Sequence, residues 1–161
     1  FGVYAKKLGG AREVTCVDLD ETAIAVARQN ANLNQVRVQT VHADAFPYLR
    51  QMRQNERTYD VVVLDPPKLV FGRKDDGDGR DKYFDLNCLA APLVRSGGLL
   101  LTCSCSGALD GDAFAEIVLR ALHRAGRTAQ IIARTGAAAD HPVATRCPET
   151  EYLKALWLRL D

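Results

Sequence analysis

Hydrophobic and polar positions follow two spacings that alternate along the chain. Short runs rich in Val, Leu and Ile predict strands, whereas apolar residues three or four positions apart predict helices. The strand-like runs are EVTCVDLD (13–20), VRVQTVHAD (36–44), DVVVLDPP (60–67), a run that starts at Leu99, TAQIIAR (128–134) and YLKALWLRL (152–160). The third run is continuously apolar up to two prolines, which predicts a strand buried on both faces.

Helix-like stretches separate most of these strands. They cover 21–34, 45–54, 83–94 and 112–126, and Asp20 is the predicted N-cap of the first. The polar, glycine-rich segment 68–82 predicts a loop. No helical pattern separates the last two strands, so we expect them to be antiparallel neighbours joined by a long loop. The order βαβαβαβαββ predicts an α/β fold: one domain over 1–161 with a doubly wound, Rossmann-like sheet, mostly parallel with one antiparallel strand.

Composition narrows the class of protein. Of the 161 residues, 47% are hydrophobic and 25% are charged, and the net charge is +1, as is usual for a globular domain. No apolar run approaches the ~20 residues that a membrane-spanning helix needs. The five cysteines form no pair of C-x-x-C clips and accompany no close His pair, so we expect no metal site. Free thiols in an odd number favour a reducing compartment, the cytoplasm.

Acidic residues end three successive strands, and thiols end the fourth. Ligands of open α/β sheets bind beyond the carboxyl ends of the strands. Asp18 is placed to accept hydrogen bonds from a ribose, and Asp44, followed by Ala45, from an adenine amino group. Either acid could instead cap the next helix, the role that we assign to Asp20. Because Asp18 and Asp44 occur together at the binding edge, we predict that they bind a cofactor.

Four segments resemble one enzyme family. They are GVYAKKLGGAREVTCVDLDETAIAVARQNANLN (2–34), DPPKL (65–69), TCSCSG (102–107) and ADHPV…PETEYLK (139–154). In kind and order they are similar to the class I S-adenosylmethionine-dependent 23S rRNA (cytosine-5)-methyltransferases. The resemblance implies S-adenosylmethionine as the cofactor and large-subunit ribosomal RNA as the partner. It also implies that Asp65 lies beside the cofactor and hydrogen-bonds the target base.

The resemblance implies that the chain is part of a longer protein. In the family, a PUA RNA-binding domain precedes the catalytic domain, and a strand and a glycine-containing turn come directly before the segment that matches FGVYA. We therefore expect the first cofactor motif and the central strand of the sheet to lie upstream of Phe1. Expressed alone, residues 1–161 would then expose strand edges. The oligomeric state stays open, with a homodimer as one option.

Cys103 and Cys105 are the candidate nucleophiles. Cytosine-5 methylation requires a thiolate that adds to carbon 6 of the base. Both thiols share one face of a strand, and two residues advance it by roughly 6.6 Å, so only one can reach the base. Alignment on TCS favours Cys103, whereas counting from the preceding glycines favours Cys105, which also lies nearer the binding edge. We predict Cys105 as the nucleophile and Cys103 as its buried neighbour, with a core role for both as the alternative.

Other residues leave alternatives open. Lys68 stands where many RNA 5-methylcytosine enzymes carry a second cysteine for product release, so that release mechanism is in doubt. Methylation of an exocyclic amine would not need Cys105, but it usually takes an aromatic residue after the prolines. A non-catalytic RNA-binding remnant is the third interpretation, and a dehydrogenase is disfavoured because no G-x-G-x-x-G occurs. Further candidates, to which no firm role is assigned, are Arg73, Lys74, Arg80, Lys82, Tyr83, Asn87 and His141.

Overall fold

The computed structural model describes residues 1–72, 76–147 and 150–161, and the chain forms two compact units, Phe1–Gln51 and Met52–Asp161. The helices are α1 (Gly2–Lys7), α2 (Glu21–Leu33), α3 (Ala45–Gln54), α4 (Asp76–Ala90) and α5 (Gly111–Arg124). The strands are β1 (Thr15–Asp18), β2 (Gln39–His42), β3 (Tyr59–Leu64), β4 (Val94–Ser104), β5 (Ala129–Thr135) and β6 (Lys154–Leu160).

The first unit is built on a parallel pair of strands. β1 and β2 lie in register from Thr15 opposite Gln39 to Asp18 opposite His42, so their carboxyl ends meet at one edge. α2 connects them and buries Ile24 and Ala31. The carboxylate of Asp20 accepts hydrogen bonds from the backbone N–H groups of two residues in the first helical turn, which confirms the predicted N-cap.

The second unit holds a four-stranded sheet in the order β3-β4-β6-β5. β3 and β4 are parallel, and β6 is antiparallel to both of its neighbours. Each unit thus contains a parallel strand pair, and β6 is the one antiparallel strand among the described strands, which confirms the predicted α/β class, mostly parallel with one antiparallel strand. The two C-terminal strands are the antiparallel neighbours that the sequence predicts.

Side chains from α4, α5 and the central strands form the core of the second unit. The apolar residues of α5 recur at helical spacing, so they lie on one face of this helix, and that face is buried. The largest fully buried side chains of the unit include Tyr83, Phe114, Leu100, Leu122 and Leu158. β4 is the best covered strand, because its last five residues, Leu100 to Ser104, are all buried. The carboxyl end of β4 therefore lies inside the core, with the candidate nucleophile Cys103 within it and Cys105 one residue beyond it.

The predicted loop over 68–82 is wrong in its second half, because α4 already begins at Asp76. Two features of the chain explain the early start. The Lys82 ammonium bonds the Asp78 carboxylate at 2.7 Å, an i,i+4 pair that supports a helix. Gly79, which resembles a loop residue, brings the helix against the loop before it, since a Cβ there would overlap the Leu69 carbonyl.

β4 also begins earlier than predicted, at Val94 rather than Leu99. Val94 pairs with Tyr59, and the register then shifts before Val61 pairs with Leu99. Gly97 adopts φ of +72°, a conformation that suits glycine. The SGG segment, predicted to precede the strand, is therefore an irregularity within it.

The prediction that β3 is buried on both faces is wrong for the described chain. Val61 is 50% exposed and Val63 is 37% exposed, whereas Leu64 is buried. Among the described strands β3 pairs with β4 alone, so β3 is an edge strand. An apolar edge with exposed valines is a surface that further protein normally covers.

Candidate functional site

Two carboxylates lie at the carboxyl ends of β1 and β2, in the first unit: Asp18 is the last residue of β1, and Asp44 follows β2 by two residues. Both Asp18 and Asp44 are exposed. Oδ1 of Asp18 accepts the backbone N–H of Asp20 at 2.8 Å, and Oδ1 of Asp44 accepts that of Phe46 at 2.7 Å. Asp44 therefore does bond the first turn of α3, as the alternative interpretation predicts. These bonds also hold each carboxylate in a fixed direction at the strand edge, and a carboxylate has two oxygens with which to accept.

His42 is a neighbour of these acids that the sequence analysis did not single out. Its Nε2 lies 2.8 Å from the carbonyl oxygen of Leu19, so the ring joins the end of β2 to the turn after β1. With Asp18 paired opposite His42, this bond helps to fix the edge at which both acids lie. Ala45, the predicted neighbour of the adenine, is the exposed first residue of α3.

The end of β4 places Cys103 inside the second unit. Cys103 is 4% exposed and packs with Leu101 and Ala155, against Trp157. Burial raises the pKa of its thiol to about 12, and negative charge on Asp65 and Cys105 acts in the same direction. A thiol in these surroundings stays protonated near neutral pH, and a protonated thiol is a poor nucleophile.

Cys105 lies one residue beyond β4 and is only partly buried. Its Sγ is 4.0 Å from the carbonyl oxygen of Pro66, the residue that follows Asp65. This proximity follows from the register of the parallel strands, which pairs Leu64 with Thr102 and so brings both strand ends to one level. The structure thus brings the accessible thiol and the exposed Asp65 to the same edge of the sheet.

Lys154, at the start of β6, holds the turn after Cys105. Its Nζ donates to the carbonyl oxygens of Ser106, at 2.5 Å, and Tyr152, at 2.8 Å. Burial lowers the pKa of the Lys154 ammonium, whereas negative charge at Cys105, Asp110 and Glu151 opposes that shift. The sequence pattern does not identify Lys154 as a site residue, because a lysine within YLKALWL resembles the polar face of a strand.

Several other predicted residues contact groups other than Asp65 and Cys105. The Lys68 ammonium lies over the Phe71 ring, 5.7 Å from its centroid. His141 is exposed, pairs with Asp140 at 3.1 Å and meets the Tyr152 ring edge-on, so it orders the β5–β6 loop. That hydrogen bond to His141 holds the pKa of Asp140 below its usual value. Of the four basic residues after Lys68, Arg80 and Lys82 lie on α4, where Lys82 pairs with Asp78, and Arg73 and Lys74 lie outside the described residues.

Two kinds of feature are absent from the described ranges 1–72, 76–147 and 150–161, namely a membrane-spanning helix and a cluster of metal ligands. None of the helices there is long and apolar enough to cross a membrane. Nor do those ranges hold a group of three or more His, Cys, Asp or Glu side chains placed to bind a metal ion. None of the five cysteines, which all lie in those ranges, forms a disulfide there.

Solved structures share this architecture. One is the crystal structure of SMU.776, a protein described as a methyltransferase and solved in complex with SAH. It matches with a TM-score of 0.84 at 21% identity, and the match covers 98% of this chain and 41% of the SMU.776 chain. The chain has a methyltransferase fold. NSun6 from Pyrococcus horikoshii, solved with SFG, matches 96% of this chain and 43% of its own with a TM-score of 0.69 at 17% identity.

Sequence comparisons agree with the fold. The family model described as "Methyltransferase domain" matches residues 1–75. "Ribosomal RNA large subunit methyltransferase I" of Aeromonas salmonicida is 45% identical over 162 residues, which are 99% of this chain and 41% of that protein. The protein of the same name from Shewanella amazonensis is 42% identical, again over 99% and 41%. The chain thus spans about two fifths of the length of these curated relatives.

Proposed function

We propose that this chain is the catalytic part of an S-adenosylmethionine-dependent methyltransferase that modifies carbon 5 of a cytosine in large-subunit ribosomal RNA. The names of the relatives that match 99% of the chain support the ribosomal RNA substrate. One observation carries the choice of carbon 5. The Sγ of Cys105, a partly exposed thiol, lies 4.0 Å from the carbonyl oxygen of Pro66, the residue that follows Asp65.

The first unit fits the adenosine part of the cofactor. Two exposed carboxylates, Asp18 and Asp44, stand at adjacent parallel strand ends, and each is oriented by one backbone hydrogen bond. Asp18 would accept hydrogen bonds from the ribose hydroxyl groups, and Asp44 from the adenine amino group. When bound, the cofactor supplies a methyl group on a positively charged sulfur, a strong electrophile.

The second unit supplies the groups that activate the base. The thiolate of Cys105 adds to carbon 6 of the cytosine, and the electron pair of the C5=C6 bond moves to carbon 5. The carboxyl group of Asp65 donates a hydrogen bond to N3 of the ring and so favours this shift of electrons. Carbon 5 takes the methyl group, and the electron pair of the broken sulfur–methyl bond stays on the cofactor sulfur. A base then removes the proton from carbon 5, its electron pair re-forms the C5=C6 bond, and the C6–Sγ bond breaks with its electrons returning to Cys105. Cys103 takes no part, because burial keeps its thiol protonated.

The identity of the modified nucleoside tests the proposal. The natural full-length protein would be incubated with unmodified large-subunit ribosomal RNA and isotope-labelled S-adenosylmethionine, and the nucleosides analysed by mass spectrometry. We expect labelled 5-methylcytidine, reduced by about a thousandfold or more in Cys105→Ser because the hydroxyl ionises far less readily than a thiol. Cys147→Ser, which replaces an exposed thiol elsewhere, should retain activity. A label on an exocyclic amine, or full activity of Cys105→Ser, would refute carbon-5 methylation through Cys105.

A further inference from the structure

A buried phenol lies between the two residues that flank Cys105. Tyr83, on α4, is fully buried, and its hydroxyl is 2.9 Å from Oγ of Ser104 and 3.0 Å from Oγ of Ser106. Both serines are fully buried as well. Ser104 donates to the phenol oxygen, which leaves the phenol hydrogen for Ser106. One side chain of α4 therefore bonds the side chains of both residues that flank Cys105.

The same hydrogen-bond group reaches the segment that follows Asp65. Oγ of Ser106 accepts the backbone N–H of Val70 at 3.1 Å, across a sequence separation of 36 residues. Oγ of Ser104 accepts the N–H of Ser106 at 3.3 Å, which closes the turn around Cys105. The loop after β3 and the end of β4 are thus joined through Ser106, and Tyr83 orients Ser106.

The ring of Tyr83 is held independently of its hydroxyl. It packs edge-on against the Phe114 ring, with centroids 5.4 Å apart, and its backbone carbonyl accepts a hydrogen bond from the Asn87 side chain at 2.8 Å. Replacement by phenylalanine would keep this packing and remove only the oxygen. Because the ring and the hydroxyl make different contacts, Tyr83→Phe measures the role of the hydroxyl alone.

A fully buried, connected polar group restricts the geometry of the segments that it joins. The serines at 104 and 106 turn towards Tyr83, while Cys105, between them in sequence, has its Sγ near the Pro66 carbonyl. We infer that Tyr83 is a positioning residue: its hydroxyl fixes the Cys105 thiol against the Asp65–Pro66 segment so that both meet the same cytosine. The inference rests on the proposed function, in which Cys105 is the nucleophile.

The rate of covalent trapping tests this role. RNA that carries 5-fluorocytosine should form a stable adduct with the full-length protein and cofactor, because fluorine at carbon 5 cannot leave as a proton. We expect Tyr83→Phe to slow adduct formation about tenfold or more at saturating RNA, since small misplacements of reacting groups carry large rate penalties. The dissociation constants for cofactor and RNA should stay unchanged. Tyr59→Phe, at the opposite end of β3 from Asp65, is the matched control and should trap at the wild-type rate.

Ser106→Ala removes the oxygen that bonds both the Tyr83 hydroxyl and the Val70 N–H. This variant is used if Tyr83→Phe fails to fold. Both variants should retain a cooperative thermal transition above the assay temperature, and the double variant should be no slower than the slower single variant, because both disrupt one unit. Wild-type trapping rates in Tyr83→Phe, or in Ser106→Ala where that variant is the one used, would overturn the inference while leaving the proposed function intact. Absence of an adduct with the wild-type protein would instead refute the proposed function and this inference with it.

Discussion

Two aspartates two positions apart at the end of β1 make different contacts. Asp20 accepts N–H groups of the first turn of α2, whereas Asp18 accepts only the N–H of Asp20 among the described backbone groups. Sequence alone separates the two by position, since Asp20 directly precedes the helical pattern. It cannot show that the Asp18 carboxylate is oriented by its neighbour, which depends on how the turn folds.

Replacement of each aspartate in turn separates cofactor binding from helix capping. In the full-length protein, Asp18→Ala should weaken S-adenosylmethionine binding about 10- to 100-fold, because hydrogen bonds to a charged group contribute about 1.5–3 kcal/mol. Asp20→Ala makes the same change of charge, and it should lower the free energy of unfolding by about 0.5–2 kcal/mol with little effect on affinity. Isothermal calorimetry and chemical denaturation measure the two quantities. Equal cofactor affinity in Asp18→Ala and wild type would remove Asp18 from the site.

At the scale of elements, α4 shows where local sequence signals mislead. Its first residues include Gly77 and Gly79, which led to the prediction of a loop. The two glycines differ in their surroundings: a Cβ on Gly77 would meet open space, whereas one on Gly79 would overlap the backbone of Leu69. Gly79 therefore permits a close approach between the helix and the loop that leads from Asp65 to the helix.

This difference predicts opposite effects of the same substitution. Gly79→Ala should lower the free energy of unfolding by about 1–3 kcal/mol, because the helix or the loop must shift. Gly77→Ala should leave it unchanged or raise it by up to about 1 kcal/mol, since alanine favours a helix over glycine. Chemical denaturation of the full-length protein distinguishes the two. If both variants are equally stable, the close packing of α4 against the Leu69 carbonyl is not present in solution.

Elements with strong local signals were predicted well. α2 begins directly after its capping aspartate and α3 covers the predicted 45–54, because hydrophobic spacing and caps are properties of neighbouring residues. The network of Tyr83, Ser104 and Ser106 could not be predicted. It depends on the pairing of β3 with β4 and on the face of α4 that meets them, and neither is encoded in a local pattern.

At the scale of the whole molecule, the sequence predicts one doubly wound sheet, and the described strands form a pair, β1–β2, and a four-stranded sheet that ends at β3. The pattern of apolar runs correctly predicted the parallel and antiparallel strands. It could not predict the exposure of Val61 and Val63, because exposure depends on which strands lie beside β3. The candidate site residues also divide between the two units: the acids proposed to bind the cofactor belong to the first unit, and the proposed nucleophile belongs to the second.

The central claim is that Cys105 forms a covalent bond to the cytosine while the buried Cys103 does not. The most direct measurement is adduct formation between the full-length protein and large-subunit ribosomal RNA containing 5-fluorocytosine, in the presence of S-adenosylmethionine, followed by denaturing electrophoresis and peptide mapping. Wild type and Cys103→Ser should form the adduct, mapped to Cys105, and Cys105→Ser should not. An adduct that maps to Cys103, or one that persists in Cys105→Ser, would contradict the account.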